Sequence, residues 1–261
     1  MPATEFVPID WNPVAAVVAD LDGTLYLGES ALPGALNFVR EAQQRKPLFF
    51  LSNNTSKTPD CTWEKLVRLG FPVQLSQVLS PLHSLVQAVR ANGLRNLWIQ
   101  ANPDVQAWLQ KQLPECECRA PRNKTECVVL TYDDTLSYQD LCEIGWRLQD
   151  GTSYWITHPD FVCPNPAGPV PDVGSLVELF ASAYKRRPEC VFGKPNPEIL
   201  SPVFAQHSAS QVLFIGDRLY TDWELAKRAG CQFRLTLRGE TTLEQWEALS
   251  DGRPLVLDFL D

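Results

Sequence analysis

The chain has 261 residues, enough for one large or two modest domains, and a net charge of −8. This acidic balance argues against a broad nucleic-acid-binding surface, so an anionic substrate would need a local positive field from a metal ion, a lysine or aimed backbone N–H groups. The N-terminus does not resemble a signal peptide and no apolar run is long enough for a membrane span, so we expect a cytoplasmic protein without nucleic-acid or membrane partners.

The first regular element is an apolar run at 14–19 that ends in two carboxylates, Asp20 and Asp22, followed by Gly23 and Thr24. A strand that is apolar on both faces is typical of a parallel sheet covered on each side. Ligands of such sheets bind beyond the carboxyl ends of the strands, so we expect both carboxylates to lie in a binding crevice. Taken alone, this segment is equally consistent with an ordinary turn, because Asp and Gly both favour turns.

A second short apolar strand, at 47–51, follows a predicted helix that begins at Ala35. This strand also ends in polar side chains, those of Ser52 and Asn53. The apolar spacing of 58–69 then predicts an amphipathic helix.

From about residue 80 the pattern begins again, with strands near 97–99, 127–132 and 153–157 separated by helices. Alternating strands and helices predict a second α/β unit. This unit is expected to end at a loop rich in Pro and Gly, residues 164–174, before a helix that begins at Ser175. Such a loop is usually functional or flexible, and a rigid connector is the alternative.

In the last third of the chain, short apolar strands again end at charged residues. A short strand leads into Lys194, and the apolar run 212–216 ends at Asp217. Asp222 stands at the start of a predicted helix, where its alternative role is that of a helix cap.

The carboxyl ends of parallel strands share one edge of a sheet, so the polar residues that follow these strands are expected to converge there. Carboxylates suit Mg²⁺, and Lys194 and Ser52 could bind phosphoryl oxygens. Asp20 could then attack phosphorus to form an aspartyl-phosphate, while Asp22 donates and accepts the proton. The converging residues are Asp20, Asp22, Ser52, Asn53, Lys194 and Asp217.

The cysteines and histidines give weaker signals. Cys116, Cys118 and Cys127 lack the second pair of ligands that a zinc site requires, so we expect reduced thiols. The three histidines are far apart in the sequence and suggest structural or surface roles, with a catalytic base as the alternative.

Four segments in chain order resemble the motifs of the haloacid dehalogenase superfamily: 20–25, 52–54, 193–197 and 216–222. The first two are too close in sequence to enclose a domain, whereas the second and third are far enough apart. That layout resembles the NagD-like, p-nitrophenylphosphatase-like subfamily, which has an α/β cap between motifs two and three.

Two segments of the expected cap are similar to the Thr-Asn-Pro-Asp and Pro-Gly-Asn-Gly-Ser segments of that subfamily. In this chain His158 replaces the usual Asn, and Asp172 with Val173 replaces the usual Gly-Asn. These departures concern the expected substrate-facing loop. His158, Asp160 and Asp172 are candidates to contact the leaving group, and solvated surface positions are the alternative.

The resemblance implies a nucleophile at Asp20 and a general acid and base at Asp22. It implies that Mg²⁺ is held by Asp20, the backbone carbonyl of Asp22, and Asp217. Ser52, Asn53 and Lys194 would bind the phosphoryl group. Asp222 would orient Lys194 or the outer shell of the metal.

We therefore expect a Rossmann-like α/β catalytic core from 1–79 and 180–261, with a smaller α/β cap at 80–179. The predicted function is Mg²⁺-dependent hydrolysis of small phosphomonoesters such as sugar phosphates, nucleotides or pyridoxal phosphate. A catalytically silent binding or regulatory protein on the same fold is the alternative. A homo-oligomer formed through the cap is a further possibility.

Overall fold

The computed structural model describes residues 8–163, 167–249 and 252–259. These residues form two compact units. The core unit contains the described residues of Met1–Ser52, Pro59–Leu79 and Lys194–Asp261, and the inserted unit contains Asn53–Thr58 and Ser80–Gly193. Each unit is built on its own parallel sheet, so the α/β class predicted from the alternation of strands and helices is confirmed.

The described strands and helices are short and alternate along much of the chain. The strands are β1 (Ala16–Asp20), β2 (Tyr26–Leu27), β3 (Ser30–Ala31), β4 (Leu48–Leu51), β5 (Val78–Leu79), β6 (Leu97–Gln100), β7 (Cys127–Leu130), β8 (Ser153–Ile156), β9 (Val162–Cys163), β10 (Val170–Pro171), β11 (Cys190–Val191), β12 (Val212–Gly216), β13 (Gln232–Leu235) and β14 (Leu255–Val256). The α-helices are α1 (Ala35–Arg45), α2 (Pro59–Arg68), α3 (Pro81–Ala91), α4 (Pro103–Gln112), α5 (Tyr138–Gln149), α6 (Val173–Tyr184), α7 (Ser201–Phe204), α8 (Glu224–Ala229) and α9 (Leu243–Glu247). None of these described helices has the length and apolar character needed to cross a membrane.

The sheet of the core unit has the strand order β14-β13-β12-β1-β4-β5, with all neighbours parallel. The chain runs from β1 outward through β4 and β5, then returns to the other side of β1 for β12 and β13. The strand order therefore reverses beside β1. In open α/β sheets, the crevice beyond the carboxyl ends of the strands at such a reversal is the usual ligand site.

Successive residues of β1 point to opposite faces of the sheet, and a separate apolar cluster covers each face. Val17 belongs to the cluster that contains Val39 of α1. Val18 belongs to the cluster that contains Leu225 of α8. Burial on both faces explains why every residue of this strand before Asp20 is apolar.

The inserted unit contains a parallel sheet of order β11-β8-β7-β6 and a separate antiparallel pair, β9 and β10. Its central strand β7 contributes to two apolar clusters, because Val128 packs on one face of the sheet and Val129 on the other. Strand β8 does the same, with Tyr154 in the cluster of Val128 and Trp155 in the cluster of Val129.

Polar N-caps fix the starts of several helices in the inserted unit. Ser80, Asn102 and Ser137 each accept a hydrogen bond from a backbone N–H of the helix that follows. Asp172 does the same for α6, which therefore begins at Val173, ahead of the start that we predicted at Ser175. Part of the predicted 164–174 loop, residues 164–166, lies outside the described residues.

The second boundary of the inserted unit differs from the predicted one at residue 180. That residue lies inside α6, and the unit continues to Gly193. The reason is strand β11, which pairs with β8 and so extends the sheet of the inserted unit. Residues 53–58 also cluster with this unit. Its role as a substrate-selecting cap stays a prediction.

Replacing Phe180 with Ala should lower the free energy of unfolding by about 3–5 kcal/mol, the usual cost of deleting a buried aromatic ring. Phe180 is fully buried and packs edge to face against Tyr154, with ring centroids 6.4 Å apart. Leu179 precedes it on the same helix but is 43% exposed, so Leu179→Ala is the matched control and should cost less than about 0.5 kcal/mol. Urea unfolding measures both variants, and equal losses would contradict the packing of α6.

Candidate active site

Asp20 and Asp217 stand at the carboxyl ends of two neighbouring strands of the core unit. Asp20 is the last residue of β1, and Asp217 follows β12, which pairs with β1. The Thr24 hydroxyl lies 3.1 Å from Asp20 Oδ2 and 3.4 Å from Asp217 Oδ1. Both carboxylates are buried. The strand register therefore brings together two residues that are far apart in the sequence.

Lys194 lies between two of the buried carboxylates. Its Nζ donates a hydrogen bond to Asp20 Oδ1 and lies 2.7 Å from Asp222 Oδ1. The other oxygen of Asp222 accepts the backbone N–H groups of Asp217 and Arg218, at 3.1 and 3.0 Å. Asp222 itself lies in a π-helical turn, Leu219–Trp223. Asp222 thus orients both Lys194 and the backbone after β12, and it is not the N-cap of the helix that follows.

Burial and charge shift the ionisation of these groups. Burial raises the pKa of Asp217 well above its usual value, and the carboxylates of Asp20 and Asp222 raise it further. Burial raises the pKa of Asp222 to about 6, against the lowering effect of Lys194. Burial also opposes the charge of Lys194, but Asp20 and Asp222 outweigh it and raise the pKa of the amine. One ammonium group therefore faces more buried acid than it can neutralise.

The donor set of this cluster fits a hard divalent cation. Asp20, Asp217 and Asp222 each offer a carboxylate oxygen, and these oxygens lie within 4.8 Å of one another. Within the described part of the chain, no other three His, Cys, Asp or Glu side chains meet in this way, Cys116 and Cys118 included. Carboxylate oxygens are preferred ligands of Mg²⁺, and a divalent charge would balance the excess of buried acid.

Asp22 is set apart from this cluster by its partners. It is partly exposed, and its Oδ2 accepts a hydrogen bond of 3.0 Å from the Tyr26 hydroxyl. Burial raises the pKa of Asp22; Lys65 lowers it and Asp20 raises it. The predicted metal contact of Asp22 through its backbone carbonyl stays a prediction.

Two glycines leave room for the Asp217 carboxylate. A Cβ atom at Gly239 would lie 2.0 Å from Asp217 Oδ2, and one at Gly23 would lie 2.4 Å from it. The backbone N–H of Glu240 donates to the same oxygen at 2.6 Å. Gly23 belongs to the first of the four motifs, whereas residues 239–240 were not predicted, because no local motif marks a loop that only the fold brings to the site.

The predicted phosphate-binding residues fall into both units. Lys194 and Ser52 belong to the core unit, and Ser52 is buried directly after β4, whose last residue pairs with Asp20. Asn53 belongs to the inserted unit, where its Nδ2 donates to Asp160 Oδ2 at 3.2 Å.

Comparison with known proteins identifies the family. Residues 17–112 match the profile of the haloacid dehalogenase-like hydrolases, and residues 191–261 match a second profile of haloacid dehalogenase-like hydrolases. The glycerol-3-phosphate phosphatase of Gallus gallus is 30% identical over 89% of this chain and 82% of its own length. The chain belongs to the haloacid dehalogenase-like hydrolase family.

A putative NagD protein is 30% identical, with a TM-score of 0.85 over 95% of this chain and 97% of that one, and places this hydrolase in the NagD-like branch. The 4-nitrophenylphosphatase of Thermotoga maritima is 31% identical, with a TM-score of 0.86 over 94% of each chain. The D-glycerol 3-phosphate phosphatase of Mycobacterium tuberculosis is 28% identical over 89% of this chain, which spans 65% of that protein's length. A glycerol phosphate phosphatase of that organism, solved in complex with magnesium, has the same fold, with 24% identity and a TM-score of 0.82 over 95% of this chain and 75% of that one. The family predicted from the four motifs is confirmed.

In this haloacid dehalogenase-like hydrolase, the three polar residues singled out in the inserted unit are buried. His158, Asp160 and Asp172 are 1%, 3% and 6% exposed, so the alternative of solvated surface positions is wrong for each. His158 Nε2 lies 3.0 Å from Asp172 Oδ1. Whether any of them contacts a leaving group stays a prediction.

Asp217→Asn should raise the melting temperature of the metal-free hydrolase at pH 8. The substitution removes a buried charge that faces two other carboxylates. The pKa of Asp217 is raised in the folded protein, so between the unfolded and folded pKa values the folded protein binds a proton that the unfolded chain releases. The stability of the wild-type protein therefore falls as pH rises through this range. The gain should therefore be smaller at pH 5.

Thermal unfolding in a chelator at both pH values measures this effect. Asp258→Asn is the matched control, because Asp258 pairs with Arg238 at 2.8 Å and its charge is balanced. A loss of stability in Asp217→Asn as large as that in Asp258→Asn would contradict the excess of buried acid.

Proposed function

We propose that this protein is a Mg²⁺-dependent phosphatase that hydrolyses small phosphomonoesters through an aspartyl-phosphate intermediate. The observation that carries the proposal is the buried cluster of Asp20, Lys194, Asp217 and Asp222 at the reversal of the core sheet, beside the separately held Asp22. Relatives over most of the chain are phosphatases, which supports the same reaction class.

Asp20 and Asp217 would hold the metal, with the backbone carbonyl of Asp22 as a further ligand. Asp222 would complete the acidic surroundings while it keeps Lys194 in place. The bound Mg²⁺ would supply positive charge against the oxygens of the phosphoryl group. A relative solved with magnesium is consistent with this choice of ion.

Asp20 is the nucleophile of the proposed reaction. Thr24 and Lys194 each hold one of its oxygens, so the carboxylate is fixed at the tip of β1 before substrate arrives. One carboxylate oxygen forms a bond to phosphorus as the bond to the ester oxygen breaks. Lys194, Ser52 and Asn53 would bind the phosphoryl oxygens and stabilise the charge that spreads over them.

Asp22 is the general acid and base. Its raised pKa favours the protonated form that must give a proton to the departing alcohol oxygen. Asp22 then accepts a proton from water as the water oxygen attacks phosphorus and the Asp20 oxygen departs. The products are the alcohol and inorganic phosphate, and both carboxylates return to their initial states.

The proposed substrates are small phosphomonoesters. The relatives are named for glycerol phosphates and 4-nitrophenyl phosphate, and sugar phosphates, nucleotides and pyridoxal phosphate belong to the same class. The inserted unit would select among them.

Phosphate release from a panel of these esters, with and without Mg²⁺, tests the proposal. Asp20→Asn should reduce turnover by at least about 10⁴-fold, because it removes the nucleophile and one metal ligand. Asp10→Asn is the matched control, since Asp10 is exposed, and it should keep full activity. Turnover that persists without metal, or in Asp20→Asn, would contradict the mechanism.

Asp22→Asn should separate esters by their leaving groups. General acid catalysis contributes roughly 10²–10⁴-fold when the leaving alcohol is basic, so turnover of glycerol phosphate should fall by that factor. 4-Nitrophenolate leaves without a proton, so formation of the aspartyl-phosphate from 4-nitrophenyl phosphate should slow much less. Rapid-quench measurement of the first turnover on both substrates checks this difference, and equal losses would exclude Asp22 as the acid.

A further inference from the structure

Four buried side chains of the inserted unit form a hydrogen-bonded line from Asp172 through His158 to the segment 53–58. None of these four side chains has a role in the proposed mechanism. His158 Nδ1 lies 3.0 Å from Thr157 Oγ1, and Thr157 Oγ1 lies 3.0 Å from Thr55 Oγ1. On its other side His158 Nε2 lies 3.0 Å from Asp172 Oδ1. Asp172, His158, Thr157 and Thr55, which we call the polar relay, are all buried.

The chemistry of each group sets the direction of these hydrogen bonds. A carboxylate only accepts, so His158 Nε2 carries a hydrogen and donates it to Asp172. When the ring is neutral, Nδ1 accepts the Thr157 hydroxyl proton, which that hydroxyl shares with the Leu130 carbonyl oxygen at 3.2 Å. The Thr157 oxygen can then accept the Thr55 hydroxyl proton at 3.0 Å, so each member of the polar relay has a partner.

The polar relay is anchored at both ends by backbone. Asp172 Oδ1 also accepts the backbone N–H of Val173 at 2.6 Å, as the N-cap of α6. At the other end, Thr55 Oγ1 accepts the backbone N–H of Tyr132 at 3.0 Å. The polar relay is therefore anchored to the start of α6 and to the loop that follows β7, and it gives the short segment that carries Thr55 a rigid support.

This support reaches both ends of the inserted unit. Asn53 begins the segment 53–58, and Gly193 is the last residue of the unit. The backbone N–H of Gly193 donates to the Thr157 carbonyl oxygen at 2.5 Å, and a Cβ atom at Gly193 would lie 2.5 Å from Asn53 Oδ1. The two end residues thus meet beside Thr157, and glycine is required there for the close approach.

Each end residue is covalently joined to a proposed phosphate-binding residue. Ser52 precedes Asn53, and Lys194 follows Gly193. A displacement of Thr157 would therefore be transmitted through one peptide bond to each. Errors of about 1 Å in the placement of such groups can cost up to about 100-fold in rate.

We propose that His158 is a positioning residue: through the polar relay it fixes the two peptide segments that lead into Ser52 and Lys194. The inference rests on the proposed phosphatase function. It also accounts for the two departures from the subfamily pattern, since His158 and Asp172 replace residues that would not form this pair and are hydrogen-bonded to each other.

Thr55→Val tests the polar relay by removing one hydroxyl while keeping the shape of the side chain. Thr131→Val is the matched control, because Thr131 is equally buried in the same unit but donates to the Gln100 carbonyl oxygen at 2.9 Å. With 4-nitrophenyl phosphate, kcat of Thr55→Val should fall about tenfold, with a much smaller change in KM. Thr131→Val should lose comparable thermal stability without that fall in kcat, and Thr55→Ser, which restores the hydroxyl, should recover it.

The double variant of Thr55→Val and His158→Ala tests whether both residues act through one relay. If they do, the double variant should be little slower than the slower single variant. Independent, multiplicative losses would overturn the proposal. So would a kcat in Thr55→Val and His158→Ala that equals that of Thr131→Val.

Hydrogen exchange of the backbone amides in 53–58 gives a readout that needs no activity. Exchange there should be faster in His158→Ala than in Thr131→Val. Equal exchange would overturn the positioning role even in an active phosphatase. If the wild-type protein turns over no ester, the proposed function fails, and with it the catalytic half of the inference, while exchange still decides whether His158 holds the segment.

Discussion

The ion pairs of Lys194 are the interactions on which the site depends. A buried ammonium group would be costly alone, and so would each buried carboxylate around it. Asp20 and Asp222 bind the same Nζ, and their combined charge raises its pKa despite complete burial. This arrangement holds the proposed nucleophile at a fixed place and leaves an excess of negative charge that favours a divalent cation.

The buried carboxylates outnumber the single ammonium group of Lys194, so the site lowers the stability of the metal-free protein in exchange for its chemistry. Gly23 and Gly239 leave room for the Asp217 carboxylate, and the Glu240 backbone N–H donates to it. Burial and the neighbouring carboxylates raise its pKa. Removing that charge should stabilise the metal-free protein, so the cluster is present for its chemistry. The apolar burial of β1 and β12 on both faces of the parallel sheet offsets this destabilisation.

The inserted unit contributes a different kind of constraint. Its sheet extends through β11, so the chain leaves it only at Gly193, one residue before the lysine of the site. Its polar relay holds the segment 53–58 through hydrogen bonds between buried side chains. The same unit that is expected to select the substrate thus also holds the peptide segments that lead into the proposed phosphate-binding residues.

The sequence by itself determined the α/β class, the haloacid dehalogenase-like family and the residues at the strand ends, because apolar runs that stop at charged groups are local signals. Only the tertiary structure decided which of those residues meet. It drew Asp222 into the carboxylate cluster, brought Gly239 against Asp217, and buried His158 against Asp172. Each of these contacts joins segments whose distance is set by strand pairing and loop paths, and no short sequence pattern encodes that distance.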